Sequence, residues 1–174
     1  MTATQPAGRC GEARPAALRF VVHGVPAPQG SKNLSAHGHM YESSTRLPAW
    51  RAAVTAAVLD TLRRRPHAPI YTGPVRCTIT FTIARPLSHH RTGKYAGQLF
   101  DDSPLYPVDP PDVDKLARAT LDPLTLANVW FDDAGVVELH ATKHYQLGQG
   151  TQPLHPDILA KPGAVIRIAP LVIP

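Results

Sequence analysis

Four aspartates in the second half of the chain have the residue type and spacing for chemistry. Asp112 and Asp114 lie two residues apart, and Asp132 and Asp133 stand side by side after the aromatic pair Trp130 and Phe131. Carboxylates are hard oxygen donors, and a few of them together with water suit Mg²⁺, with Mn²⁺ as a substitute. A cation held this way activates water and offsets the charge that develops on phosphate oxygens, as phosphodiester hydrolysis requires. Each feature alone has a plainer explanation. Asp112 is a competent helix cap, Asp114 and Arg118 have the four-residue spacing of a helix-surface ion pair, and Asp132-Asp133 before Ala134-Gly135 suits a turn. Together they put an acidic cluster beside basic residues in a basic protein, which the separate explanations leave unaccounted for.

The elements around these residues decide whether they can meet. A helix is expected to begin at Asp112. Two residues at that spacing inside a helix point to nearly opposite faces, so the pair converges only if Asp112 is the extended cap residue. Pro123 withholds an N–H from the helix, and the regular part is expected to stop near Leu121 or to bend there. The chain reverses between Phe131 and the strand expected at 136–144, so a carboxylate from that turn is expected to close on the first two. Only one of the adjacent aspartates is expected to face an ion.

Further elements follow from periodicity. Residues 18–23 read as a strand ended by Gly24, Pro26 and Pro28. Residues 29–44 are a polar, Gly- and His-bearing stretch. Residues 47–65 read as a helix capped by Ser44 or Thr45, with Pro48 in its first turn. Trp50, Val54, Ala57, Val58 and Leu62 form its apolar face, and Arg63, Arg64 and Arg65 sit at its carbonyl end, where cations oppose the dipole or meet a phosphate. Residues 75–84 alternate: Val75, Cys77, Ile79, Phe81 and Ile83 on one face, Arg76, Thr78, Thr80 and Thr82 on the other. Residues 85–111 form a long irregular stretch, and residues 164–172 a last strand after a Gly/Pro-rich connection. The expected architecture is α+β, a small mixed β-sheet with two main helices packed on it, spanning residues 18–174 behind a disordered tail of residues 1–17.

Composition narrows the partners. The chain has 174 residues, enough for one domain with a real core, and 19 prolines in keeping with long loops. Eighteen Lys and Arg against 13 Asp and Glu, a formal charge of +5, favour a polyanion. Cys10 and Cys77 are too few for a disulfide framework or a zinc ribbon. With no apolar run of membrane-spanning length and no signal-peptide core at the start, the expectation is a cytoplasmic protein without a membrane partner. His37 and His39, and His89 and His90, lack an established zinc spacing and are expected to be loop histidines. The loop bearing Arg85, Arg91, Lys94 and Tyr95 mixes basic and aromatic groups suited to a DNA backbone, or to plain solvent exposure.

The run Asp112-Val113-Asp114-Lys115-Leu116-Ala117-Arg118, then Leu121-Asp122, Trp130-Phe131-Asp132-Asp133 and Val136-Val137, resembles the RusA family of Holliday junction resolvases. That family's pattern is D-x-D-N-x-x-K, a leucine-rich helix end, and W-x-D-D before a strand. The spacing from Asp114 to Asp133 also matches. The segment from Gly24 to Lys32 is similar to the opening of phage-type members, where a turn after the first strand approaches the active site. The resemblance implies a homodimer, in bacterial or phage DNA recombination and repair, that needs Mg²⁺ and makes paired nicks in four-way junction DNA. It implies Asp112, Asp114 and Asp133 as catalytic metal ligands and Arg118 in the place of a catalytic lysine. Lys32, Lys115, Arg91 and Lys94 are candidates for DNA contact. Two positions depart from the pattern: Lys115 replaces the Asn, and Arg118 replaces the Lys. Arg118 keeps the charge but cannot move a proton at working pH. These departures leave two alternatives, a junction-binding protein with weak or no turnover and a less selective nuclease for branched DNA.

Overall fold

The computed structural model describes residues 17–30, 32–34, 40–42, 45–147 and 153–171. The expected tail, except residue 17, and His37 and His39 lie outside the described residues.

The elements run β1 (Leu18–His23), β2 (Lys32–Leu34), β3 (Met40–Glu42), α1 (Leu47–Arg64), β4 (Val75–Ile83), α2 (Val113–Leu126), β5 (Val136–Tyr145) and β6 (Gly163–Pro170). The main sheet has the order β1-β6-β4-β5. Its β1–β6 and β6–β4 pairs are antiparallel and its β4–β5 pair is parallel, so the sheet is mixed as expected. Parallel neighbours need a crossover, and α2 supplies it. The helix therefore runs back across the sheet, from the C-terminal ends of β4 and β5 to their N-terminal ends.

The alternation of β4 is realised as burial of Val75, Cys77, Ile79 and Phe81. Trp50, Val54 and Val58 of α1 are buried with them, and the Trp50 and Phe81 rings lie 6.3 Å apart. The indole Nε1–H of Trp50 donates to Thr120 Oγ1 at 3.2 Å, and that hydroxyl donates to the Leu116 carbonyl at 2.9 Å, so the polar atoms between the helices are satisfied. The Cys77 thiol is pushed up to about 12 by burial. Gly163 pairs with His23, and a Cβ there would come within 2.1 Å of the Val22 carbonyl oxygen. Only glycine fits so close a backbone approach.

Several expectations need correction. The polar stretch 29–44 contains the hairpin β2–β3, whose three-residue strands are too short for alternation to register. The cap residue of α1 is Arg46 without a side-chain cap, in place of Ser44 or Thr45; Pro48 spares the first turn one unpaired N–H. Helix α2 continues through Pro123 to Leu126. Proline forfeits one hydrogen bond there, while Pro123 and Leu124 are buried against the core and offset that loss. The helix ends in Asn128, whose φ of 56° is left-handed. On the other face of β4, Thr80 and Thr82 are buried as well. Residues 153–162 close over that end of the sheet, and the Leu159 N–H donates to Thr82 Oγ1 at 3.0 Å.

Candidate active site

Asp112 is the cap residue of α2, with extended backbone (φ −68°, ψ 139°) and no side-chain cap bond. Its carbonyl accepts the first helical hydrogen bond, from Leu116 at 3.1 Å. Freed from capping, its carboxylate lies 2.8 Å from the Lys115 ammonium. The hydrogen bond and charge of Lys115, with the charge of Lys143, hold Asp112 below the ordinary carboxylate range. Lys115 is raised in return, by Asp112 first and by Asp114. Asp114 occupies the first turn, where a carboxylate also complements the helix dipole. It makes no ion pair with Arg118, whose exposed guanidinium has no ion-pair partner among the described residues.

Two residues not anticipated from the sequence frame this end of α2. Lys143 on β5 donates from Nζ to the carbonyls of Asp109 (2.8 Å) and Pro111 (3.0 Å), pinning the chain just before Asp112. Register partners in a parallel pair share a face, so Lys143 stands beside Phe81 in the helix-facing row with Leu139 and Ala141. A lysine in an apolar row was a usable signal. Gln29 donates its backbone N–H to the Lys115 carbonyl at 3.1 Å, so the turn after β1 does reach the head of α2. Its side-chain Oε1 is buried and has no hydrogen-bond partner among the described residues. Beside it lies a cavity of about 420 Å³ bounded by Pro26, Pro28, Arg46, Ile83, Pro110 and Pro111.

Asp133 sits at the other end of α2. Trp130 is anchored there by its Nε1–H to Thr125 Oγ1 (2.7 Å) and by a bridge to Tyr71. In the short turn Asp133–Gly135, the Asp132 carboxylate accepts the Ala134 N–H at 2.8 Å and is spent on the turn. Asp133 is raised above its ordinary range by burial first, then by its hydrogen bond to Asp132 and the charges of Asp132 and Asp122. Asp122, quoted within the motif but given no role there, pairs with Arg51 of α1 across the helix interface.

Within one protomer the carboxylates therefore form two groups. A helix of 14 residues is about 21 Å long, and α2 separates Asp112 and Asp114 from Asp133 by nearly that length. Among the described residues no three His, Cys, Asp or Glu side chains converge to hold a metal ion. The hard-oxygen pair Asp112 and Asp114 fits the beginning of a Mg²⁺ site, but a single protomer does not complete the expected three-carboxylate set. The turn before β5 does not close on the head of α2, because the crossover carries it to the opposite end of the strands.

The other basic candidates are partly engaged. Arg91 bonds the Leu99 carbonyl (3.2 Å) and Asp101 (2.8 Å), and Lys94 lies 4.7 Å from the centre of the Tyr95 ring. Arg63 and Arg64 both pair with Asp60. His89 packs edge-on against Tyr145 at 5.5 Å. Lys32 lies in β2, and its side chain is outside the described residues.

A mixed sheet crossed by a helix that bears carboxylates at both ends, in a chain of net positive charge, suits a nuclease. The family profile described as Endodeoxyribonuclease RusA matches residues 23–152, most of the chain. The chain belongs to the RusA endodeoxyribonuclease family, and the nuclease class follows from that membership. No curated protein matches it. Among the described residues no helix is long and apolar enough to cross a membrane.

Proposed function

We propose that this protein is a Mg²⁺-dependent endodeoxyribonuclease that resolves four-way DNA junctions by paired nicks, acting as a homodimer in DNA recombination and repair. The observation that carries the proposal is the head of α2 in a RusA-family chain: Asp112 free of capping, Asp114 one residue further on, and a lysine-pinned turn that holds both. Asp112, Asp114 and Asp133 are assigned to the cation. When bound, it supplies an activated water and charge neutralisation on the scissile phosphate. Arg118, exposed and without an ion-pair partner among the described residues, is assigned to the phosphate oxygens, where a guanidinium donates two parallel hydrogen bonds. Arg91 and Lys94 are assigned to backbone contacts outside the site.

A second possibility has its own support. The Lys115 ammonium occupies Asp112 at 2.8 Å, where the family pattern has an uncharged Asn. Competition with the cation at this position favours weak turnover with junction binding retained.

The test is cleavage of a four-way junction, a flap and a linear duplex, with and without Mg²⁺, by the wild type and by Asp112→Asn, Asp114→Asn, Asp133→Asn and Asp132→Asn. Asn preserves size and capping capacity but is a far poorer ligand for a hard cation. The first three variants should lose cleavage by about 100-fold or more while binding the junction at least as well, since less negative charge faces the phosphates. Asp132→Asn should be milder, its carboxylate being engaged by the turn. Normal cutting by Asp112→Asn or Asp114→Asn would end the nuclease assignment of this site. Junction binding without cleavage by the wild type in Mg²⁺ would favour the second possibility.

A further inference from the structure

The long stretch between β4 and α2 closes on itself. The Phe100 N–H donates to the His89 carbonyl at 3.1 Å, the Arg91 N–H to the Gln98 carbonyl at 2.8 Å, and the Ser103 hydroxyl to the His89 carbonyl at 3.0 Å. Between this loop and the segment after β5 lies a cavity of about 390 Å³, whose walls include Arg85, Phe100, Leu105, Tyr145, Gln146 and Leu154. A second cavity, of about 360 Å³, shares Phe100, Ser103 and Pro104 with the first, so Phe100 stands between two hollows. Phe100, Leu105 and Leu154 are 44%, 57% and 48% exposed although apolar, and the metal chemistry proposed above uses none of them.

The wall also carries a fixed flat cation. The Arg85 guanidinium lies over the Tyr145 ring, 4.1 Å from its centre, and its Nη1 donates to the Pro104 carbonyl at 2.9 Å. The carboxylate on the same wall, Asp101, is paired with Arg91 at 2.8 Å, which leaves Arg85 as the uncompensated charge among the described lining residues. A nucleobase is flat and apolar on its faces and polar at its edges, and it stacks on aromatic rings and on guanidinium planes. Phe100 and Arg85 suit its faces, the Gln146 amide suits an edge, and the charge of Arg85 suits the phosphate that comes with it.

The cavity is continuous with the candidate active site. Tyr145 and Lys143 are two apart on β5 and share one face, about 7 Å from each other, and Lys143 holds the carbonyls on either side of the turn into Asp112. We infer that this cavity is a single-strand subsite of the nuclease: it takes one unpaired nucleobase of the DNA, stacked against Phe100 and the Arg85 plane, with the next base on the far side of Phe100. In a linear duplex the faces of every base are covered by its neighbours, whereas a branch point or a single strand offers free ones. The inference rests on the nuclease function proposed above, and it adds a source of preference for branched DNA that lies outside the carboxylates.

Binding is measured by fluorescence anisotropy in EDTA, where no strand is cut. The probes are a single-stranded oligothymidylate of about 12 nucleotides, an abasic strand of the same length and a linear duplex. The wild type should prefer the oligothymidylate over the abasic strand by about 5-fold or more, the effect of one stacked base. Phe100→Ala should lose that preference and keep its affinity for the abasic strand and the duplex, so that ring and base are coupled in a double-mutant cycle. Phe100→Leu keeps apolar bulk for the loop to fold on and should lose the preference as well, while Phe100→Trp should keep it. Arg85→Lys retains the charge without the plane and should weaken the oligothymidylate several-fold. A fluorescent base analogue in place of one thymine should be quenched by the wild type and not by Phe100→Leu. Equal affinity of the wild type for the oligothymidylate and the abasic strand, or a loss in Phe100→Leu that is the same for both strands, overturns the inference. A wild type that binds as expected but nicks no DNA in Mg²⁺ supports the subsite and removes the nuclease function instead.

Discussion

The Lys115 ammonium on Asp112 sets the charge at the head of α2, and it stands where the family pattern has Asn. In the proposed mechanism a divalent cation has to compete with that ammonium for the carboxylate. Lys115→Asn should therefore lower the Mg²⁺ concentration for half-maximal nicking by several-fold, read from a Mg²⁺ titration of initial rates. An unchanged midpoint would mean that the ion pair opens freely in solution, as exposed pairs often do. Arg118 has no ion-pair partner among the described residues, so its proposed contribution to phosphate binding is separable from the fold. Arg118→Lys should stay within a few-fold of wild type and Arg118→Ala should lose about 10-fold or more in nicking rate, because the charge rather than proton transfer is what an arginine supplies. Equal rates for wild type and Arg118→Ala would transfer that role to Lys115.

Among the elements, β5 has the largest share in placing the site, since its start follows Asp133 and its far end holds the turn before Asp112. Lys143 links it to that turn through two charge-assisted hydrogen bonds. Lys143→Met keeps the aliphatic length and removes both bonds. It should lower kcat by about 10-fold, leave junction affinity unchanged and cost about 1–2 kcal/mol of stability, with Lys143→Arg recovering part of the rate. A variant that loses only stability would reduce Lys143 to a structural tie. A second tie joins the 153–162 segment to the sheet. The Asp157 carboxylate, almost fully buried, accepts from Arg167 at 2.7 Å twice and from Arg19 at 3.2 Å. Hydrogen bonds from Arg167, then Arg19, hold its carboxyl below the ordinary range. A group depressed in the folded state stabilises above its unfolded pKa, near about 3.9, and that stability is lost as pH falls through the folded value. Thermal melts between pH 6 and pH 2 (a span chosen to bracket about 3.9) should show Asp157→Asn less stable than wild type near neutrality, by about 2 kcal/mol after allowing for two half-exposed guanidinium groups. The difference should shrink at the acid end. A constant difference would rule out the charge as its source.

At the scale of the whole molecule, a formal charge of +5 coexists with acidic sites that must approach a polyanion. Affinity for a four-way junction should fall linearly in log salt, with a slope of about −0.9 per phosphate contacted. Filter binding at several salt concentrations gives that slope, and a slope near zero would remove the basic surface from the binding account. Four-way junctions should also be preferred over linear duplex of equal length, because the proposed two-fold dimer would match their symmetry.

Much of this protein was legible in the chain itself. Periodicity located β1, α1, β4, α2, β5 and β6, since burial of one face imposes alternation or a helical repeat on the residues that form it. The carboxylates and their motif were equally local, and so was the extended backbone at Asp112. Other features depended on packing. Whether Pro123 ends a helix turns on what the next turn buries, and whether Thr82 faces water turns on a segment some 70 residues further along the chain. The Lys143 contacts to Asp109 and Pro111 join residues more than 30 positions apart. The distance between Asp112 and Asp133 was out of reach for the same reason. Twenty residues of sequence are compatible with a tight reversal or with a helix crossing the sheet, and the parallel pairing of β4 with β5 selects the crossing. Sequence determined which groups are candidates for the chemistry; the tertiary structure decided which of them lie together, because strand order and direction are set by the burial of both helices against one sheet.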